Sequence, residues 1–448
     1  MRKIANIVES LKSGETTSLE LVKEALARAT DSSGEGALVF TEIYANQAIV
    51  AAQVSDDLRA AGIVLSPLAG IPISIKDLFD VCGETTKAGS VALSDMPVLE
   101  QESIVVRRLR EAGAILIGRT NMTEFAYSGL GLNPHYGTPA NQYDRANRRI
   151  PGGSSSGAAI SVTDGMAAGA IGTDTGGSTR IPAALCGLVG FKPTQNRTLL
   201  SGAFPLSQSL DTVGPIAPSV SCCALLDAVL SGETELPKLL PRAPQTLTFG
   251  VFDTYLVDDI DDDVAHAFET ACKSLEKAGA RLVRFPFTDL MQIPDIALAG
   301  CLVAAESYAI HKPYEVSFGS YDPRVIERIL AGKTIFAHEY LDILRIRSEL
   351  VARFGKLAAG LDGFLAPTTP RTAPRIATLE NDISAYQEMN RLMLRNTSVF
   401  NFLDACAISV PCHEPDRAPV GLMIAAPSSF DRTLLSAALS IEAILAHK

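Results

Sequence analysis

The chain has 448 residues, 47% of them hydrophobic and 20% charged, with a formal net charge of −11. That composition suits an enzyme with a sizeable core, and an acidic balance without a basic stripe excludes a general binder of nucleic acid or of anionic membrane. The N-terminus lacks the apolar core of a secretory signal and no apolar run reaches the length of a membrane span, so neither export nor a membrane helix is expected.

In chain order, Thr17-Ser18-Leu19-Glu20 has the form of a helix capping box, and Leu19, Leu21, Val22, Ala25 and Leu26 continue it as a mostly one-sided apolar face. A second helix is predicted from Ala45 to Ala61. The β-branched run ending Ile73-Ser74-Ile75 reads as a buried strand, followed by a helix over Ser103–Ala112 and a strand over Ala114–Gly118. This alternation marks an α/β sheet with helices on its faces. From about Gly129 to Gly214 Gly, Ser, Thr, Pro and Asn dominate, yet Ala167–Ile171 and the helix-compatible Gly157–Val162 predict ordered loops within a core rather than a linker. Beyond Pro215, Thr246–Phe252 and Arg281–Phe285 read as strands around a helix over Val264–Ala280. Asp258–Asp263, five Asp in six positions, reads as a solvated helix entry, since an EF-hand's central Gly and terminal Glu are missing. The stretch 296–360 reads as mostly helical, Phe364–Pro370 as a strand ending in a turn, Ala407–Pro411 and Val420–Ile424 as strands, and Leu434–Ala446 as a closing helix. With no repeat and no domain boundary visible, the chain is read as one domain, 1–448: N-terminal helices (1–65), a core (66–220), and the rest of the sheet with its covering helices (221–448).

Eight scattered cysteines without a C-x-x-C pair read as reduced thiols of a cytoplasmic protein, and six dispersed histidines without H-x-x-x-H spacing predict no metal site. Chemistry is sought instead in Pro151-Gly152-Gly153-Ser154-Ser155-Ser156-Gly157, in Gly172-Thr173-Asp174-Thr175-Gly176-Gly177-Ser178-Thr179-Arg180, and at Lys76 in Ile75-Lys76-Asp77. Successive glycines let several backbone N–H groups face one concavity, where they stabilise a developing oxyanion beside a serine. The bland alternative is a Gly-Gly turn, and a phosphate loop would need the Gly-Lys-Ser/Thr ending that neither segment has. A serine needs a base. No His lies in either segment, His135 is the nearest, and no G-x-S-x-G elbow exists. A lysine with its pKa lowered by burial is the other route, although most lysines ending an apolar strand reach out to solvent.

Together these segments closely resemble the amidase signature. Gly70-Ile71-Pro72-Ile73-Ser74-Ile75-Lys76-Asp77 resembles that family's lysine strand, and Ser154 and Ser178 stand at the family's own spacing. The likeness continues through Cys186–Thr194, Ser209–Pro215, Ala366–Pro370, Phe400-Asn401, Ser409–Pro411 and Pro419–Leu422, nearly the whole chain. The resemblance implies an α/β fold in α/β/α layers with a large, mostly mixed central sheet covered by helices. It implies a triad of nucleophile Ser178, relay Ser154 after a cis peptide bond from Gly153, and neutral base Lys76. Backbone N–H groups of Thr175, Gly176, Gly177 and Ser178 would form the oxyanion hole. Ser155 and Asp174 are expected to hold the loops, Thr173, Tyr127, Ser128 and Gly129 to line the pocket, and Arg180 either to brace the loop or to meet a substrate carboxylate. Ser156 replaces a common Gly, and Thr179 stands where an apolar residue is commoner.

The activity implied is hydrolysis of an amide or urea-like carbon–nitrogen bond of a small molecule, through a Ser178 acyl-enzyme, without a cofactor. Further substrate contacts are expected from Tyr127–His135 and from the helices around Gly300–Tyr340. Neither the extra N-terminal membrane helix of fatty-acid amide hydrolases nor the second C-terminal domain of allophanate hydrolases is expected. The alternatives are the glutaminase subunit of a tRNA-dependent amidotransferase, whose Gly-Tyr-Tyr-rich run is not found here, and a catalytically silent binding protein. Homodimers are common in the family it resembles.

Overall fold

A computed structural model describes residues 1–233, 239–286, 288 and 296–446. Eleven strands form one mixed sheet: β1 (Phe40–Ile43), β2 (Pro72–Lys76), β3 (Ile115–Thr120), β4 (Gly169–Thr173), β5 (Val189–Lys192), β6 (Val213–Ala217), β7 (Thr248–Phe252), β8 (Arg281–Phe285), β9 (Gly363–Pro367), β10 (Cys406–Pro411) and β11 (Gly421–Ala426). Their spatial order is β1-β3-β2-β4-β6-β5-β10-β11-β9-β7-β8. β2 runs parallel to both β3 and β4, β7 parallel to β8 and β9, and antiparallel pairs join the two parallel groups. The α/β class and the large mixed sheet are those implied by the resemblance.

The strand β2 carries the site. All five of its residues are buried between two neighbours and covering helices. Side chains alternate along a strand, so Ser74 and Lys76 share a face. Ser74 Oγ meets Ser161 Oγ at 2.8 Å on the helix Ser156–Thr163, which lies over that face. The helix also packs tightly against the chain before β1 and after β3, where a Cβ on Gly157 would sit 2.4 Å from the Val39 carbonyl oxygen and 2.8 Å from the Asn121 backbone. Its N-terminus therefore brings Ser154 and Ser155 over the end of β2.

Local chemistry explains the other predicted elements. The capping box is formed, with Glu20 N–H donating to Thr17 Oγ1 and Thr17 N–H to Glu20 Oε2, and the helix runs Ser18–Ala29. The second predicted helix spans Ala45–Ala60, and Ser103 caps Ile104–Glu111. The acidic run enters the helix Asp262–Lys277, and Asp259 and Asp261 both pair with Arg371. Thr246 belongs to a short turn, and the strand begins only at Thr248. Strands β1, β4, β5 and β6 and the helices Val220–Ser231 and Ile383–Phe402 were not anticipated from the residues, β4 having been read as part of an ordered loop. Among the described residues no helix is long and apolar enough to cross a membrane.

Candidate active site

Lys76 ends β2 with no solvent exposure. Its Nζ lies 2.7 Å from Ser154 Oγ and donates to Thr173 Oγ1 at 2.9 Å. Burial pushes its pKa down to about 7, against the opposing pull of Asp211 and Asp174. The Gly153–Ser154 peptide bond is cis. The loop holding it is pinned by the Gly153 N–H on the Gly129 carbonyl at 2.8 Å and the Thr123 N–H on the Ser154 carbonyl at 3.0 Å. Ser155 N–H reaches the Ser178 carbonyl at 3.3 Å, so the two glycine segments are neighbours.

Asp174 organises the second segment. Its carboxylate accepts from Gly177 N–H (2.8 Å), Thr179 N–H (3.2 Å) and Oγ1 (2.9 Å), Arg180 Nε (3.0 Å) and Nη2 (2.9 Å), and Asn401 Nδ2 (2.8 Å). Burial raises its pKa, but Arg180 and the Asn401 amide outweigh that and hold it well below the usual range. Arg180 is itself fully buried, also bonding Asn401 Oδ1 at 2.6 Å, and it lines neither the cavity at Ser178 nor the one at Thr173. Of its two expected uses the structure supports bracing the loop. The polar Thr179 at a commonly apolar position is explained by its hydroxyl contact with Asp174.

Of the four N–H groups expected at the oxyanion hole, one is engaged elsewhere. Gly177 N–H is committed to Asp174, because Gly176 C=O, on the other side of the same peptide, accepts from Thr397 Oγ1 (2.6 Å) and Ser398 Oγ (3.2 Å). Thr175, Gly176 and Ser178 keep N–H groups with no partner among the described hydrogen bonds. Gly177 has φ +133°, and a Cβ there would lie 2.2 Å from Thr397 Oγ1, so no other residue fits.

Ser178, Thr175 and Gly176 open onto a cavity of about 370 Å³. Tyr127 and Ser128 line it as expected, while Gly129 does not; its N–H bonds Asn390 Oδ1 at 2.9 Å and its carbonyl holds the Gly153 loop. Gly300, Val303, Arg324, Glu327 and Arg328 come from the helical region anticipated, but Tyr386, Asn390, Arg391, Leu394 and Ser398 come from Ile383–Phe402, which was missed. Thr173 lines a second cavity of about 240 Å³ with Asp211, and Thr175 borders both. No histidine lines either cavity among the described residues. His135 Nε2 is held 2.9 Å from Glu124 Oε1, and His311 is buried beside Phe125 and Tyr321.

The Amidase family model matches residues 20–435. A 2-amino-5-chloromuconic acid deaminase of Comamonas testosteroni is 38% identical over 400 residues, covering 88% of this chain and 86% of that protein. A glutamyl-tRNA(Gln) amidotransferase subunit of Chromohalobacter salexigens is 31% identical over 473 residues, covering 98% and 95%. A crystal structure of an amidase superposes with a TM-score of 0.90 at 32% identity, covering 99% of this chain and 100% of that one.

Proposed function

The chain belongs to the amidase family, and we propose that it hydrolyses a small linear amide by attack of Ser178, with Ser154 as relay and Lys76 as base. That it is an amidohydrolase acting on a carbon–nitrogen bond of a small molecule follows from its family and relatives. The observation carrying the mechanism is the 2.7 Å approach of the buried Lys76 amine to Ser154 Oγ. A neutral amine gives an N–H to Thr173 and keeps its lone pair for the Ser154 hydroxyl. Ser154 then takes the Ser178 proton as Ser178 Oγ bonds to the carbonyl carbon.

The negative charge of the tetrahedral intermediate falls to the N–H groups of Thr175, Gly176 and Ser178. Collapse breaks the carbon–nitrogen bond, and the proton returns through Ser154 to the leaving nitrogen. Water entering the same geometry cleaves the acyl ester and restores Ser178. Loops held by Asp174 and Arg180 keep the donors fixed, so little reorganisation accompanies charge development.

The substrate carries a carboxylate. The cavity is lined by three arginines and one carboxylate, Glu327. Arg324 is neutralised by Asp322 at 2.8 Å, whereas Arg328 and Arg391 have no ion-pair partner among the described residues. A deaminase of a muconic acid among the relatives agrees with that charge balance. The experiment is fluorophosphonate labelling of Ser178 together with ammonia release from a panel of small amides. Failure of both in the pure protein overturns the reading.

A glutaminase role within an amidotransferase has support in the relative of that name. Against it, Glu327 is the one carboxylate lining the cavity and faces three arginines, a balance that favours an anionic group over an α-ammonium group. Glutamine turnover appearing only with a second chain would favour it.

A further inference from the structure

Asp211 is buried, lines the smaller cavity beside Thr173 rather than the one at Ser178, and acts on Lys76 only through its charge, with no hydrogen bond to the amine. Its two oxygens nevertheless join two parts of the site. Oδ1 accepts from Thr175 Oγ1 at 2.5 Å, and Oδ2 accepts from the N–H groups of Leu206 (2.9 Å) and Ser207 (3.1 Å). Thr175 carries one of the unpartnered N–H groups at the oxyanion position, whereas Leu206 and Leu210 are apolar wall against which a bound substrate packs.

The segment 206–212 is secured on both sides. Thr212 exchanges backbone hydrogen bonds with Asp174 (2.8 and 3.2 Å) and adds its hydroxyl on the same carbonyl at 2.8 Å. On the other side Glu306 receives the hydroxyls of Ser207 and Ser209, the Ser209 N–H at 3.1 Å and the Tyr340 hydroxyl at 3.0 Å. Glu306 belongs to the helix Ile296–His311, whose Gly300 and Val303 also line the cavity. Substrate pressing on that wall therefore bears on a segment whose only side-chain link to Thr175 among the described residues is one carboxylate.

Resting on the amide-hydrolase reading, we propose that Asp211 is a positioning residue that couples filling of the substrate cavity to the geometry of the oxyanion loop. A substrate too small to reach Leu206 and Leu210 gains nothing from this link. A larger one braces the segment, and Asp211 holds Thr175 and its N–H toward the developing oxyanion. Because the contact strengthens the transition state rather than the ground state, its loss lowers kcat more than it raises KM.

The test is a double-mutant cycle of Asp211→Asn and Thr175→Val, read with acetamide and benzamide and by the rate of fluorophosphonate labelling of Ser178, all at pH 9, where Lys76 is neutral with or without the Asp211 charge. Asn keeps an acceptor for Leu206 and Ser207 but replaces the charged acceptor facing Thr175 by a neutral amide donor, and Val keeps the Thr175 N–H and shape while removing the hydroxyl. Each single change is expected to lower kcat for benzamide about ten- to hundredfold, the scale of a hydrogen bond to a charged group. The double variant should be no worse than the weaker single one. The kcat advantage of benzamide over acetamide should shrink in both. Multiplying losses, an undiminished benzamide advantage, or a change confined to KM overturns the coupling. Labelling of the unaltered enzyme separates the two ideas: if Ser178 labels in wild type and equally fast in both variants, only the role of Asp211 fails.

Discussion

Lys76 Nζ sits 2.7 Å from Ser154 Oγ with both side chains sealed from solvent, and in the proposed mechanism the proton state of that amine decides whether the site works. Burial lowers the Lys76 pKa to about 7, so the amine is neutral above that pH and charged below it. Only the neutral form accepts a proton. The quantity kcat/KM should therefore rise with pH through about 7 and level off, falling about tenfold per unit on the acid side. A pH–rate profile with a neutral amide checks this. A profile flat to pH 5 means another base.

Ser178→Ala removes one hydroxyl from a buried loop and leaves the Asp174 contacts in place. Turnover should fall by at least about a thousandfold, with no fluorophosphonate labelling and an unchanged denaturation midpoint. Ser154→Ala should also be severely impaired, since it breaks the path between Lys76 and Ser178. If Ser154→Ala retains wild-type turnover, the relay is wrong while the nucleophile stands.

The strand of Lys76 was legible from a β-branched run, while Ser154, Ser178 and Lys76 stood out as a set only through their likeness to the amidase signature. What was not legible lies in the helix Ile383–Phe402. Its Asn390, Asn396, Thr397 and Asn401 look like turn or surface residues, yet all are buried. They bond Ser128 and Gly129, the Pro367 and Leu256 carbonyls, Gly176, and the Asp174–Arg180 pair, most of them across more than a hundred residues of chain. Such partners leave no period in the sequence. Strands β5 and β6 were hidden similarly, as their Gly190, Gly214 and Pro215 weaken a strand pattern while allowing close packing; a Cβ on Gly214 would fall 2.0 Å from the Phe191 carbonyl oxygen. The commitment of Gly177 N–H to Asp174 depends on a peptide orientation that no residue type announces.

Asp174 and Arg180 form a fully buried ion pair at 2.9 Å with further hydrogen bonds on both partners. Removing one side strands the other charge in the interior. Arg180→Met and Asp174→Asn should each cost about 3–5 kcal/mol in denaturant unfolding and loosen the oxyanion loop, lowering activity as well. Arg180→Lys should not restore it, since a single ammonium cannot span both carboxylate oxygens. Full stability of Arg180→Lys would show that charge alone suffices.

The buried Lys76 amine, the proposed base, should weaken the fold. Its folded pKa of about 7 lies below the ordinary 10.5, so between those values the unfolded chain holds a proton that the folded one has lost. Stability arising from this group therefore rises with pH across that window, and the penalty is complete below about 7, on the order of 5 kcal/mol. Lys76→Met should resist urea better than wild type at pH 6, and the margin should shrink as pH approaches 10. A margin independent of pH would mean that Lys76 titrates normally in the folded protein.

Arg328 offers the sharpest test of substrate charge. Its guanidinium stacks 4.1 Å from the Tyr127 ring and donates to the Tyr127 carbonyl, which fixes its orientation without neutralising it. A carboxylate entering the cavity meets a pre-oriented fork and gives up little entropy on binding. For succinamate against butyramide, which differ by one carboxylate, wild type should favour the acid in kcat/KM. Arg328→Met should erase about ten- to hundredfold of that preference, chiefly through KM. The neutral amide serves as the internal control, because loss of both substrates together would signal a damaged pocket rather than a lost anchor. A preference that survives Arg328→Met but collapses in Arg391→Gln would move the anchor to the helix Ile383–Phe402. Survival in both variants would rule out recognition of an anionic substrate by these arginines.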